Sequence, residues 1–118
     1  MPSQPLPHAT TTDIFLWLLR CYRRFRIEGT SMLPSLRPDQ EVLINPKAYK
    51  NAPPLPDDII VAYHPGQADL LIVKRILFVE ADGRCYVQGD NAIESNDSRQ
   101  FGLVSPQRII GKVHCLFP

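Results

Sequence analysis

The sequence predicts a mostly β domain, antiparallel and curled, with one short helix near its N-terminus. Three observations predict it. The chain has 118 residues, enough for one domain with a core of its own. It carries twelve prolines against six glycines. Proline at roughly twice its average use of about 5% argues against a helical bundle and for short strands joined by rigid loops. Its apolar residues gather in short β-rich runs bounded by Pro, Gly, Asn and Asp.

Taken in order, residues 1–11, with Pro2, Pro5 and Pro7, read as a flexible tail. Residues 12–23 read as an amphipathic helix. Ile14, Trp17, Leu18, Cys21 and Tyr22 fall on one face, Thr12 or Asp13 stands where a cap belongs, and Arg20, Arg23 and Arg24 suit the C-terminal end. Such a helix either lies on the domain surface or touches a membrane surface or a partner. In the second case Arg20, Arg23, Arg24 and Arg26 supply the charge, giving peripheral contact through residues 12–26. From residue 24 to 118 the pattern is strands: Arg24–Glu28, Gln40–Ile44, Asp58–Tyr63, Leu70–Val79, Arg84–Gln88 and Arg108–Leu116. Ala81-Asp82-Gly83 makes a tight turn, so Leu70 to Gln88 is expected to be a hairpin. Pro46 to Pro56 holds four prolines and must be an irregular connection.

Composition narrows the function. Hydrophobic residues make up 44% and charged residues 21%, and thirteen Lys+Arg against twelve Asp+Glu leave a net charge of +1. A nucleic-acid binder would need a basic excess. Cys21, Cys85 and Cys115 are odd in number and widely spaced. They argue against a disulfide scaffold and for reduced thiols, hence a cytoplasmic protein. The longest apolar run near the N-terminus, Ile14 to Leu19, falls far short of the roughly 18–20 residues of a membrane span. Met1 to Thr12 holds no Lys or Arg, unlike a signal peptide. His8, His64 and His114 show no ligand spacing with the cysteines, and the neighbours His114 and Cys115 should point to opposite faces of a strand. No metal and no cofactor are expected.

Three segments carry chemistry. In Gly29-Thr30-Ser31-Met32-Leu33-Pro34-Ser35 a serine follows a strand. Gly29 permits unusual dihedrals, and Pro34 could start a short helix whose amides face the serine. Such a turn can present Ser31 Oγ beside N–H groups fit for an oxyanion; it is also a common surface turn. In Leu70 to Val79 a lysine interrupts an apolar strand, with Ile72 and Ile76 on its own face. Burial there would lower the Lys74 pKa, and a neutral amine can take a proton from a serine hydroxyl. Without a serine partner, Lys74 would simply snorkel to solvent. Arg75 points the other way, solvated or ion-paired. In Gly89-Asp90-Asn91 followed by Ser95-Asn96-Asp97-Ser98-Arg99, turn formers are dense, as in any polar loop. Asp97 and Arg99 can nonetheless form a charge-assisted pair, and a serine can orient the amine.

Together the three boxes resemble the type I signal peptidase family of Ser-Lys proteases, over about Arg24 to Val113. The family boxes are Gly/Ser-x-Ser-Met-x-Pro-Thr, a Lys-Arg pair in a later apolar strand, and Gly-Asp-Asn…Ser-x-Asp-Ser-Arg. The resemblance implies the curled sheets of the signal peptidase and SOS-repressor proteases. It implies Ser31 as nucleophile, Lys74 as general base, Ser95 as the serine bonded to the lysine, and Asp97 with Arg99 as the supporting pair. The Ser31 N–H would be one oxyanion donor. Where some members place a second donor hydroxyl, two residues before the nucleophile, this chain has Gly29. Phe25, Ile27, Met32, Ile72 and Val73 match residues that flank the substrate, which would be held as an added strand.

The chain is expected to be an anchorless form, without the large inserted β-domain of the secretory members. Its compact form and the wording of its boxes resemble the nickel-type superoxide dismutase maturation subfamily. That resemblance implies removal of an N-terminal propeptide from a precursor protein, exposing a histidine for nickel. The alternatives are an anchorless signal peptidase, a self-cleaving SOS-repressor-like regulatory domain, and a non-catalytic binding module. Repressors of that kind carry a DNA-binding half ahead of the serine, and with thirty residues before Ser31 none is expected here.

Overall fold

The computed structural model describes residues 5–118. The chain runs α1 (Thr11–Leu18), β1 (Arg23–Arg26), β2 (Glu41–Asn45), β3 (Ile59–His64), β4 (Gln67–Val79), β5 (Cys85–Gln88), α2 (Ser98–Phe101), a 3-10 turn (Pro106–Arg108) and β6 (Ile109–Leu116). The strands form one sheet in the order β1-β2-β6-β3-β4-β5, and every neighbouring pair is antiparallel. Each strand falls on one of the runs that the sequence marks, and β4 with β5 is the expected hairpin. Gly83 turns it at φ +90°, a backbone region that favours glycine.

The sheet buries both faces at its centre, which explains why β3 reads as an unbroken apolar run. Ile59 and Val61 join one cluster with Ile27, Met32, Leu36, Val42, Ile44 and Val113. Ile60 and Ala62 point the other way, into a second cluster with Ile76, Cys85, Val87 and Val104. A second hairpin joins β3 to β4 through His64-Pro65-Gly66, where His64 Nδ1 accepts the Gly66 N–H at 2.9 Å.

Three local expectations are corrected. Helix α1 starts earlier and stops at Leu18, short of residue 23. Thr10, rather than Thr12 or Asp13, is its cap. Thr10 Oγ accepts the Asp13 N–H at 3.2 Å and the Asp13 carboxylate accepts the Thr10 N–H at 2.9 Å, a reciprocal box. Arg20, at φ +65°, turns the chain out of the helix; Leu18 and Cys21 are exposed. The expected tail is held as far as residue 5 is described, because Leu116 donates to Pro7 O and Ala9 donates to Leu116 O, both at 2.9 Å. The prolines there lack N–H groups, but their carbonyls still accept. The part of that tail at residues 1–4 lies outside the described residues. Finally, residues 31–36 form successive turns instead of a helix begun by Pro34. Met32 and Leu36 bend that turn inward by entering the core.

Candidate active site

The site is assembled from the turn after β1, the middle of β4, and the loop between β5 and α2. Lys74 is 5% exposed, because it stands between Ile72 and Ile76 on the face that packs on the second cluster. Its Nζ donates to Ser95 Oγ at 3.0 Å, and Ser95 Oγ also accepts the Gly89 N–H at 3.2 Å. Burial lowers the Lys74 pKa from its ordinary value, and the nearby Asp97 charge offsets part of that shift. Ser31 borders the same groove as Lys74.

The backbone of the serine turn is gripped by the Gly-Asp-Asn segment. The Ser31 carbonyl accepts the Asn91 N–H at 2.8 Å, Asn91 Nδ2 donates to Thr30 O at 3.2 Å, and Thr30 Oγ1 donates to Glu94 at 2.7 Å. Gly89 sits where this grip meets the lysine. A Cβ there would collide with Ser95 Oγ and the Ser31 carbonyl oxygen together. Gly89 and Asn91 thus fix the spacing between the serine turn and the Lys74–Ser95 pair. The sequence reading gave neither a role, although both stand in the third box.

Asp97 is fully buried and caps α2, accepting the Arg99 N–H at 3.1 Å. Its carboxylate also takes two hydrogen bonds from the Arg99 guanidinium, at 2.9 and 3.1 Å. Burial alone would raise the Asp97 carboxyl, but the Arg99 hydrogen bonds and the charges of Arg99 and Lys74 hold it below the usual value. Arg99 reaches on to Ala92 O at 3.0 Å, closing the loop. Asp97→Ala removes a cap and a buried acceptor together, and is expected to lose about 2 kcal/mol of stability. Arg99→Ala should lose less, since its guanidinium is 42% exposed. Asp97→Asn should move the pH midpoint of activity downward, because the carboxylate charge is what raises Lys74. Thermal melts and a pH profile check all three, and an unmoved midpoint would count against the coupling. Arg75 is ion-paired, bidentate to Asp90 at 2.9 Å for both bonds.

A groove of about 490 Å³ runs to Ser31 and Lys74 between residues 25–28 and 69–73. Its flanks are strand edges. β1 is one of the two outer strands of the sheet. β5 pairs with β4 only from Arg75 onward, so residues 67–73 pair on one side alone among the described strands. Of the five residues expected to contact substrate, all border this groove. Ile27 and Met32 are its floor, 1% and 2% exposed and part of the first cluster, on which Phe25 and Val73 also pack. Ile72 leans on the second cluster instead, because neighbours along a strand alternate faces.

Outside the groove lining, Asp13, His114 and Cys115 place one ligand-type atom each within 4.8 Å of one another. Opposite facing along β6 did not keep His114 and Cys115 apart, since the Asp13 carboxylate reaches both. Asp13 is already engaged by the Thr10 N–H and by His114 Nε2 at 3.0 Å, so the cluster reads as the tie between α1 and β6.

Residues 9–82 and 78–117 match the family described as signal peptidase, peptidase S26. The chain belongs to the peptidase S26 family. It is 31% identical to the zebrafish (Danio rerio) mitochondrial inner membrane protease subunit 2, over 79% of this chain and 63% of that protein. The Schizosaccharomyces pombe subunit 2 is 32% identical over 78% and 63%. The Arabidopsis thaliana mitochondrial ATP-independent inner membrane protease subunit 1b is 31% identical over 72% and 63%. This S26 chain therefore aligns with somewhat under two thirds of each of these relatives.

Those names place the relatives at the mitochondrial inner membrane and overturn the cytoplasmic expectation. The thiols misled because they report burial rather than compartment. Cys85 and Cys115 are sequestered, and desolvation pushes both pKa values up to about 11. Among the described residues no helix is long and apolar enough to cross a membrane.

Proposed function

We propose that the chain is a serine endopeptidase of the signal peptidase type, with a Ser31–Lys74 dyad, that removes the N-terminal segment of a precursor protein. The observation that carries this reading is the buried Lys74 amine, held on Ser95 Oγ at 3.0 Å beside the groove that Ser31 borders. The substrate adds as a strand between the edges of β1 and β4. Neutral Lys74 takes the Ser31 Oγ proton as that oxygen attacks the scissile carbonyl. The Ser31 N–H faces the developing oxyanion. Protonated Lys74 then gives its proton to the leaving amine, and activates the water that frees Ser31. Ser95 orients the amine and Asp97 with Arg99 holds the Ser95 loop. Gly29 brings no second hydroxyl donor, and the Thr30 hydroxyl is committed to Glu94.

Two observations bear on the substrate. The wording of the three boxes favours the propeptide of a nickel-type superoxide dismutase. The relatives' names, with exposed Phe15, Leu18 and Leu19 next to Arg20 and Arg23, favour work at a membrane surface. Incubation with a nickel dismutase precursor, with and without anionic vesicles, is read by mass spectrometry of the N-terminus. A new N-terminal histidine is expected with the wild type and not with Ser31→Ala. An intact precursor, under conditions where a signal-sequence peptide is cut, transfers the substrate to leader sequences.

A further inference from the structure

A second cavity of about 310 Å³ adjoins the dyad, lined among others by Pro34, Asp57, Arg75, Leu77, Asp90 and Ala92. Two chain segments pass from the substrate groove into it at the reacting residues. β4 borders the groove up to Lys74 and the cavity from Arg75. The serine turn borders the groove at Ser31 and Met32 and the cavity at Pro34. Gly89, the residue wedged against Ser31 O and Ser95 Oγ, lines the cavity too. A peptide that fills the groove up to its scissile carbonyl therefore has this cavity ahead of it.

The chemistry of the walls is legible. Pro34, Leu77 and Ala92 offer apolar surface that suits an aliphatic stem. Arg75 donates two hydrogen bonds to the Asp90 carboxylate and a third to the Asp57 carbonyl at 3.0 Å. Asp57 makes two carboxylates against one guanidinium among the described lining residues. Resting on the endopeptidase reading, we propose that this cavity is the leaving-side subsite, which holds the first residues after the scissile bond and prefers cationic or hydrogen-bond-donating side chains to acidic ones.

The test uses synthetic signal-sequence peptides with alanine before the bond, identical except for Lys or Glu at the first or second position after it. The wild type is expected to prefer Lys in kcat/KM by about fivefold, the size of one partly screened charge a few ångströms away. Asp57→Asn should bring that ratio close to one. Asn tolerates the left-handed backbone that Asp57 holds at φ +77°, so the charge changes and the loop does not. Leu77 is 55% exposed, and Leu77→Trp should fill the cavity. It should abolish the gain in kcat/KM that the wild type shows when the peptide is lengthened from one to three residues past the bond. Equal rates for Lys and Glu in the wild type overturn the proposal. So does a Lys preference untouched by Asp57→Asn, or a lengthening gain untouched by Leu77→Trp. Failure of the endopeptidase reading looks different: the wild type would cut no peptide faster than Ser31→Ala.

Discussion

Ser31→Ala is expected to fold with a wild-type melting temperature and to lose at least about a thousandfold in cleavage rate, since the nucleophile is gone. The fold is indifferent to this hydroxyl because the turn is held by its backbone. Asn91 binds the Ser31 carbonyl at 2.8 Å and the Thr30 carbonyl at 3.2 Å, and the core anchors are the neighbours Met32 and Leu36. The stability change should stay within about 0.5 kcal/mol, as for surface substitutions generally. Cleavage of a precursor at near the wild-type rate would remove Ser31 from the mechanism. A large drop in melting temperature would mean that the hydroxyl is structural.

Lys74→Arg should be as inactive as Lys74→Met. Arginine keeps a cation but cannot give up its proton at any working pH, and it forces a larger group into a site only 5% exposed. Substantial activity in Lys74→Arg would reduce the lysine to a fixed positive charge. The Met variant separates chemistry from stability. Burial lowers the Lys74 pKa in the folded state, so between that value and the unfolded one the unfolded chain binds the extra proton. Lys74 therefore makes stability rise with pH through this window, and its penalty is full below the folded value. Lys74→Met should melt no lower than wild type at neutral pH and lose that upward slope. In the wild type, kcat/KM should rise with pH through the same lowered value. A flat profile, or a Met variant that melts well below wild type, would contradict the buried-amine account.

The strands were legible because β-rich runs and their proline and glycine boundaries are local. The sheet order was not, since nothing local tells β6 to enter between β2 and β3. The start of α1 lay within Thr10-Thr11-Thr12-Asp13, three successive threonines of which only Thr10 exchanges hydrogen bonds with Asp13. Helix α2 depends on the Asp97 cap and hid inside what reads as a polar loop. In the site, Ser31, Lys74, Ser95, Asp97 and Arg99 stood out because their boxes are worded unusually. Gly89 and Asn91 did not, because their work is to hold a turn some sixty residues earlier in the chain, as the Asn91–Thr30 bond shows. Ile72 borders the groove as the sequence suggests, while its side chain also packs on the second cluster.

Among the described residues, two strand edges beside the groove are unpaired, and this bears on self-assembly. An edge that will accept an extended peptide will accept a strand from another copy of the same chain, and nothing in backbone pairing tells the two apart. Arg23 and Arg26 lie exposed along β1, where their charge should oppose such stacking, while Arg24 is already paired with Glu41. Like charges on two approaching copies repel, whereas a short uncharged segment does not. That protection is electrostatic and so depends on the medium. At about 1 M salt the screening length shrinks to about 3 Å, and concentrated protein should then oligomerise edge to edge, covering its own groove and inhibiting itself.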